Sequence, residues 1–191
     1  MLKINDIRTI HCGNLSENAY IVCPEGRDDA FIVDPGDGLH PLMLALQASG
    51  RRLAGILLTH GHFDHIGAVA ELAKDGAEIV IHSADAPMLQ DDYLNASWLM
   101  RTHVTAPEAT RLIAEGDVLH YAGVDFTVLH TPGHTPGCVC YQAGNWLFTG
   151  DTLFDEGYGR TDLPGGDEEQ LRASLQRLFR IDAPYEVCPG H

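Results

Sequence analysis

The chain has 191 residues, enough for one domain or two tightly fused halves at roughly 100–200 residues per domain. Apolar residues at 45% against 20% charged argue against a disordered chain, and a formal charge of −15 repels phosphate backbones and anionic lipid, so neither nucleic acid nor a membrane is expected as a partner. The opening, residues 1–8, lacks the apolar stretch of a secretory signal and no later window approaches the ~20 apolar residues of a membrane span, which leads to the expectation of a cytoplasmic protein.

Apolar runs of strand length, bounded by turn residues, fall at Ala19 to Val22, Phe31 to Val33, Ile56 to Leu58, Ile79 to Ile81, Phe126 to Leu129, Cys138 to Tyr141, Trp146 to Phe148 and Tyr185 to Cys188. Helical patterns lie between them: Leu42 to Ala48 closed by Gly50, Ile66 to Lys74 closed by Gly76, and Leu171 to Phe179. The last opens with Asp167 and Gln170 at capping-box spacing, and Leu171, Leu175, Leu178 and Phe179 recur on one face. Strands followed by helices, once before about residue 90 and again after about residue 115, predict an α/β protein with two sheets face to face and helices outside. The irregular stretch 86–109 reads as a helical insertion rather than a mobile lid, because its apolar residues need somewhere to pack.

Five cysteines, with no CxxC pair, speak against a disulfide framework and against a thiolate zinc site; they read as reduced core residues. The histidines carry more. The strand at Ile56 runs into His60-Gly61-His62-Phe63-Asp64-His65, three imidazoles and a carboxylate within one turn, where Gly61 removes a side chain that would obstruct convergence. Asp64 is also placed to cap the following helix. Imidazole and carboxylate donors without sulfur suit zinc, iron or manganese. Three further strand ends deliver His134 in Thr131-Pro132-Gly133-His134, Asp151 in Thr149-Gly150-Asp151, and His191 in Pro189-Gly190-His191. Strand C-terminal ends in layered α/β proteins collect at one edge, so these four segments can share one site.

The combination of HxHxDH, PGH, TGD and a second PGH resembles the metallo-β-lactamase superfamily over nearly the whole chain. The resemblance implies a four-layer αββα sandwich, a single domain over residues 1–191, and two divalent metal ions, zinc ahead of iron or manganese. It assigns His60, His62 and His134 to one ion and Asp64, His65 and His191 to the other, with Asp151 bridging, and makes Asp64 and Asp151 the candidate catalytic carboxylates. Such a pair lowers the pKa of a held water from 15.7 to about 7, so hydroxide between the ions would attack a carbonyl. Asp34, in Val33-Asp34-Pro35-Gly36, matches a family position that supports the metal site; an ordinary Asp-Pro-Gly turn residue is the competing account.

Within the superfamily, Tyr158-Gly159-Arg160-Thr161-Asp162-Leu163-Pro164-Gly165-Gly166-Asp167 resembles the loop of short glyoxalase II-like (hydroxyacylglutathione hydrolase-like) proteins, which implies a thioesterase acting on a small-molecule thioester, possibly glutathione-linked. True glyoxalase II continues into a helical domain, and most members into at least a short tail, whereas the sequence ends at His191; a ligand on that last residue is expected to be loosely held. The alternative is a mononuclear-iron persulfide dioxygenase, which would use His60, His134 and Asp151; a non-catalytic binding member is the third reading. Arg160 is the candidate contact for an anionic substrate, unless it pairs with Asp162, and Tyr158 could offer its hydroxyl to an oxyanion. His11, His40, His82, His103, His120 and His130 lie outside the motifs.

Overall fold

The structure, a computed structural model, describes residues 4–121, 123–181 and 184–191; the first three residues of the opening stretch lie outside the described residues. The elements are β1 (Ile4–Cys12), β2 (Glu17–Pro24), β3 (Asp29–Val33), α1 (Leu39–Ser49), β4 (Arg52–Leu57), the single turns α2 (Phe63–Ile66) and α3 (Val69–Leu72), β5 (Glu78–His82), β6 (Arg111–Ile113), β7 (Val118–Tyr121), β8 (Val124–His130), β9 (Val139–Ala143), β10 (Trp146–Gly150), α4 (Glu168–Leu178) and β11 (Glu186–Pro189). Among the described residues they form a six-stranded sheet in sequential order β1 to β6 and a five-stranded sheet ordered β11-β10-β9-β8-β7.

Side-chain alternation along the strands builds the layers. Tyr20, Val22, Phe31, Val33, Leu57 and Val80 of the first sheet meet Phe126, Val128, Val139, Tyr141 and Phe148 of the second, forming the core between the sheets. The residues in between, Ile21, Ile32, Ile56 and Ile79, point the other way and are covered by Leu42, Ile66, Val69 and Leu72 of α1 to α3. On the far face of the second sheet, Cys140 and Leu147 pack under Leu178 of α4. The result is the expected αββα order. All five cysteines are buried and none forms a disulfide.

Strand direction then collects the motifs. β3, β4 and β5 run parallel, as do β10 and β11, and β9 lies antiparallel between β8 and β10. The C-terminal ends of β3, β4, β8, β10 and β11 therefore face one edge, and hydrogen bonds cross between the sheets there: Val139 N–H to Thr59 O at 2.9 Å, Tyr141 Oη to Leu58 O at 2.8 Å and Tyr20 Oη to Pro189 O at 2.7 Å.

Three expectations change. The helix predicted from Ile66 to Lys74 is broken, because Ala68 N–H donates to Pro35 O at 3.0 Å rather than to the carbonyl four residues back. The stretch 86–109 is built of short turns pinned by buried Asn95, whose Nδ2 donates to Met88 O at 3.1 Å and Val104 O at 2.8 Å. Its apolar side chains divide: Met88 and Leu89 pack inward as argued, whereas Tyr93, Trp98, Leu99 and Met100 are exposed. Edge strand β1 and short β6 and β7 carry no apolar run and escaped the reading.

Candidate metal centre

The first histidine group sits at the floor of the edge. His60 and His62 leave the end of β4, and His134 comes from the loop after β8; one nitrogen of each lies within 4.8 Å of the others. Gly61 matters for a different reason than expected: a Cβ there would stand 2.6 Å from Met88 Cβ and 3.2 Å from Asp85 O, so it is the neighbouring segment, not the imidazoles, that requires glycine. His134 Nδ1 lies 2.7 Å from the carbonyl of Arg160, which holds that nitrogen as N–H and turns Nε2 inward, 2.9 Å from His62 Nδ1. His60 Nδ1 is 3.1 Å from Thr59 Oγ1, leaving its Nε2 buried without a partner.

The second group is Asp64, His65 and His191. Asp64 does not cap a helix: the N-cap position of α2 is His62, and no side chain caps it. Asp151 stands between the groups. Its Oδ1 is 3.3 Å from His65 Nε2, and its Oδ2 is 3.4 Å from His134 Nε2 and 3.8 Å from His191 Nε2. His191 is better held than its place at the end of the chain suggested, since Gly190 is bonded on both sides, its N–H to Gly150 O at 2.9 Å and its carbonyl to Asn18 N–H at 2.8 Å. A Cβ at Gly190 would fall 2.3 Å from Asp151 Oδ1.

The electrostatics divide the two groups. Burial, reinforced by the neighbouring imidazoles, holds His60 well below its ordinary pKa and brings His62 down to about 3; burial also lowers His134. All three are neutral at physiological pH, the form that ligates metal. At His65 burial opposes charge, but Asp151, Asp64 and Asp34 prevail and raise its pKa well above normal. Asp151 and Asp64 are lowered in turn by His65 and the other histidines despite their burial. A cation entering the second group would displace the His65 proton and take over its role between the carboxylates.

The supporting residues are only partly those expected. Asp34, buried at a left-handed φ of 48°, accepts from Thr59 N at 2.7 Å and Thr59 Oγ1 at 2.6 Å and lies 3.2 Å from His65 Nδ1, so it supports the site and closes the turn as well. Two carboxyls were missed. Asp85 accepts from Gly137 N at 2.6 Å, Thr135 Oγ1 at 2.6 Å and Gly61 N at 3.2 Å, stapling the His60–His62 turn to the His134 loop. Glu17 is fully buried, 3.8 Å from His65 Nδ1, and burial pushes its pKa well up. No sequence pattern marked either. Arg160 forms a two-pronged exposed pair with Asp162, at 2.6 and 2.7 Å, and also lines the cleft above the centre; Tyr158 is exposed and does not line it.

The donor set suits a divalent ion. His60 Nε2 and His62 Nε2 are buried without a hydrogen-bond partner among the described residues, and neutral imidazoles with carboxylates fit a borderline dication.

Comparison with known proteins agrees. A profile of the Metallo-beta-lactamase superfamily matches residues 12–191. "Probable metallo-hydrolase YqgX" of Bacillus subtilis is 36% identical over 189 residues, covering 96% of this chain and 89% of that protein. A "Hydroxyacylglutathione hydrolase" of Xanthomonas campestris is 38% identical over 171 residues, covering 90% of this chain but 58% of the relative. Among solved structures, BLEG-1 B3 metallo-beta-lactamase superposes with a TM-score of 0.88 at 35% identity, covering 97% and 91% of the two chains. TTHA1623 in a di-iron-bound form gives 0.85 at 38%, covering 96% and 91%. With this match spanning both sheets and every motif of the site, the chain belongs to the metallo-beta-lactamase superfamily.

Proposed function

We propose that the protein is a metal-dependent hydrolase of thioesters, working in the cytoplasm with two divalent cations, zinc by preference, held by His60, His62 and His134 and by Asp64, His65 and His191, with Asp151 shared. The observation that carries this reading is the placement of Asp151, one carboxylate oxygen toward each histidine group. Bound there, such a pair of cations makes hydroxide available at neutral pH and polarises a carbonyl. The chain's own residues prepare the site. The Arg160 carbonyl fixes the His134 tautomer, Asp34 orients His65, and the Asp85 staple sets the distance between the two histidine loops. The cleft above is lined by His62, Asp64, His134, Asp151 and His191, so a substrate seated in it lies against the centre. Buried cysteines without disulfides are in keeping with a reducing compartment, and none of the helices among the described residues is long and apolar enough to cross a membrane.

The test is elemental analysis of protein purified without chelator, together with assays on S-lactoylglutathione, simple acyl thioesters and a β-lactam. About two zinc per chain with thioester hydrolysis supports the reading. A single iron with oxygen uptake on glutathione persulfide replaces it with a dioxygenase, and β-lactam turnover without thioester turnover replaces it with the activity in the name of BLEG-1.

A further inference from the structure

The cleft over the centre has a volume of about 590 Å³, within the ~300–1,000 Å³ of small-molecule sites. Apart from the ligand candidates and Arg160 its lining is apolar, with Leu15, Phe63, Leu99, Met100, Phe154 and Leu163 as the large side chains. Leu15, Leu99 and Met100 are 45%, 43% and 50% exposed. A loose loop does not explain this, because the segment that carries Leu99 and Met100 is anchored through Asn95, whose carbonyl also accepts from Phe63 N at 3.0 Å. A contiguous apolar rim fixed beside a polar centre marks a ligand groove.

Charge completes the argument. Of the side chains lining the cleft, Arg160 is the one guanidinium or ammonium, and its Nε and Nη2 are already paired with the Asp162 carboxylate. Arg101, next along the rim, does not line it. A glutathionyl group brings two carboxylates that must lose water on entering, and the one lining cation has its charge already offset by Asp162. An alkyl chain loses nothing there and gains contact with six apolar side chains.

Resting on the thioesterase reading, we propose that the cleft selects a neutral, apolar arm, so that the substrates are alkanoyl thioesters of a small uncharged thiol rather than glutathione conjugates. The reaction balances without any further reagent: the C–S bond breaks, water supplies the new C–O bond, and a carboxylic acid and a thiol leave.

The test uses the full chain with its metal and two matched series. In the first, calorimetry measures binding of S-methyl, S-butyl and S-hexyl thioethers of N-acetylcysteamine, which cannot be hydrolysed, beside S-hexylglutathione. The expected result is a two- to four-fold fall in Kd per methylene, the upper figure being the ~0.8 kcal/mol of one buried CH₂, with S-hexylglutathione no tighter than its N-acetylcysteamine counterpart. The double substitution Leu99→Ser, Met100→Ser flattens the series at unchanged Tm, since both side chains are exposed. A flat series, no binding by the hexyl compounds, or ten-fold tighter binding of S-hexylglutathione overturns the proposal. In the second series, the acetyl, butanoyl and hexanoyl thioesters of the same thiol are assayed for kcat/KM, with the same slope expected. A steep binding series without hydrolysis of any thioester sinks the thioesterase reading and leaves the apolar cleft standing; hydrolysis with no dependence on chain length does the reverse.

Discussion

Replacing Asp85 with alanine tests whether the two histidine loops are held together by one buried carboxylate. The side chain is fully buried and takes hydrogen bonds from Gly61 N, Gly137 N and Thr135 Oγ1. Hydrogen bonds to a charged group contribute about 1.5–3 kcal/mol each. Thr135 keeps a second acceptor in Cys138 Sγ at 3.0 Å, so two backbone donors are left unmet and the expected loss is about 3–5 kcal/mol. For a chain of this size that lowers Tm by roughly 6–20 °C. Because Gly61 lies between His60 and His62, and Thr135 follows His134, metal content should fall as well. Asparagine at the same position separates charge from shape. Burial pushes the Asp85 pKa up from 3.8 to about 6, so the folded protein holds this proton more tightly than the unfolded chain. The associated stability is fully present below pH 3.8 and is lost as pH rises to about 6, about 3 kcal/mol in all. The parent-minus-Asp85→Asn difference in urea-denaturation free energy should therefore fall by that amount across this window. An alanine variant that melts within about 2 °C of the parent with full metal content, or an asparagine difference that is flat in pH, refutes the staple.

Asp151→Ala is expected to lose metal and activity together, because it removes the carboxylate between the two groups; two ions retained by elemental analysis would rule out the shared role. Stripping the metal with a chelator should lower Tm by roughly 5–10 °C, the effect of a ligand present at about 100 times its Kd, and adding zinc back should restore it. Gly190→Ala places a methyl group 2.3 Å from Asp151 Oδ1 and should weaken the second ion selectively, seen as about one metal per chain rather than two. Glu17→Gln should flatten the pH profile of stability: with its folded pKa raised above the ordinary 4.5, the parent loses stability as pH rises past that value, and the amide has no proton to lose.

How much of this was legible in the sequence follows from the range over which each feature is determined. The central strands could be read because burial on both faces leaves a continuous apolar run, as at Phe31 to Val33. Edge strand β1, with Asn5, Asp6, Arg8 and Thr9 among its residues, has no such run and is defined by its pairing with β2. The break after α2 was illegible because a carbonyl at Pro35, remote in sequence, captures Ala68 N–H. The metal-ligand candidates stood out because several donors fall within single turns, and because parallel strands bring their C-terminal ends to one edge whatever lies between them.

The supporting carboxyls follow the opposite logic. Asp85 serves Gly61 beside the first sheet and Thr135 and Gly137 beside the second, so its role exists only once the sheets have closed, and Glu17 meets a His65 remote in sequence only once β2 and β4 lie in one sheet. Locally, Asp85 precedes a proline-containing turn and Glu17 opens a strand, positions where an acid is unremarkable. The same closure accounts for the site's coupling to stability. The bonds from Val139 to Thr59, from Tyr141 to Leu58 and from Tyr20 to Pro189 join the two sheets beside the ligand candidates, so whatever loosens the seam also spreads the nitrogens. Tyr141→Phe removes one such bond in the buried core without leaving a cavity. It should cost about 1 kcal/mol, roughly 2–4 °C in Tm, and should weaken metal affinity in the same protein; an unchanged affinity would mean that the loops hold their geometry independently of the seam.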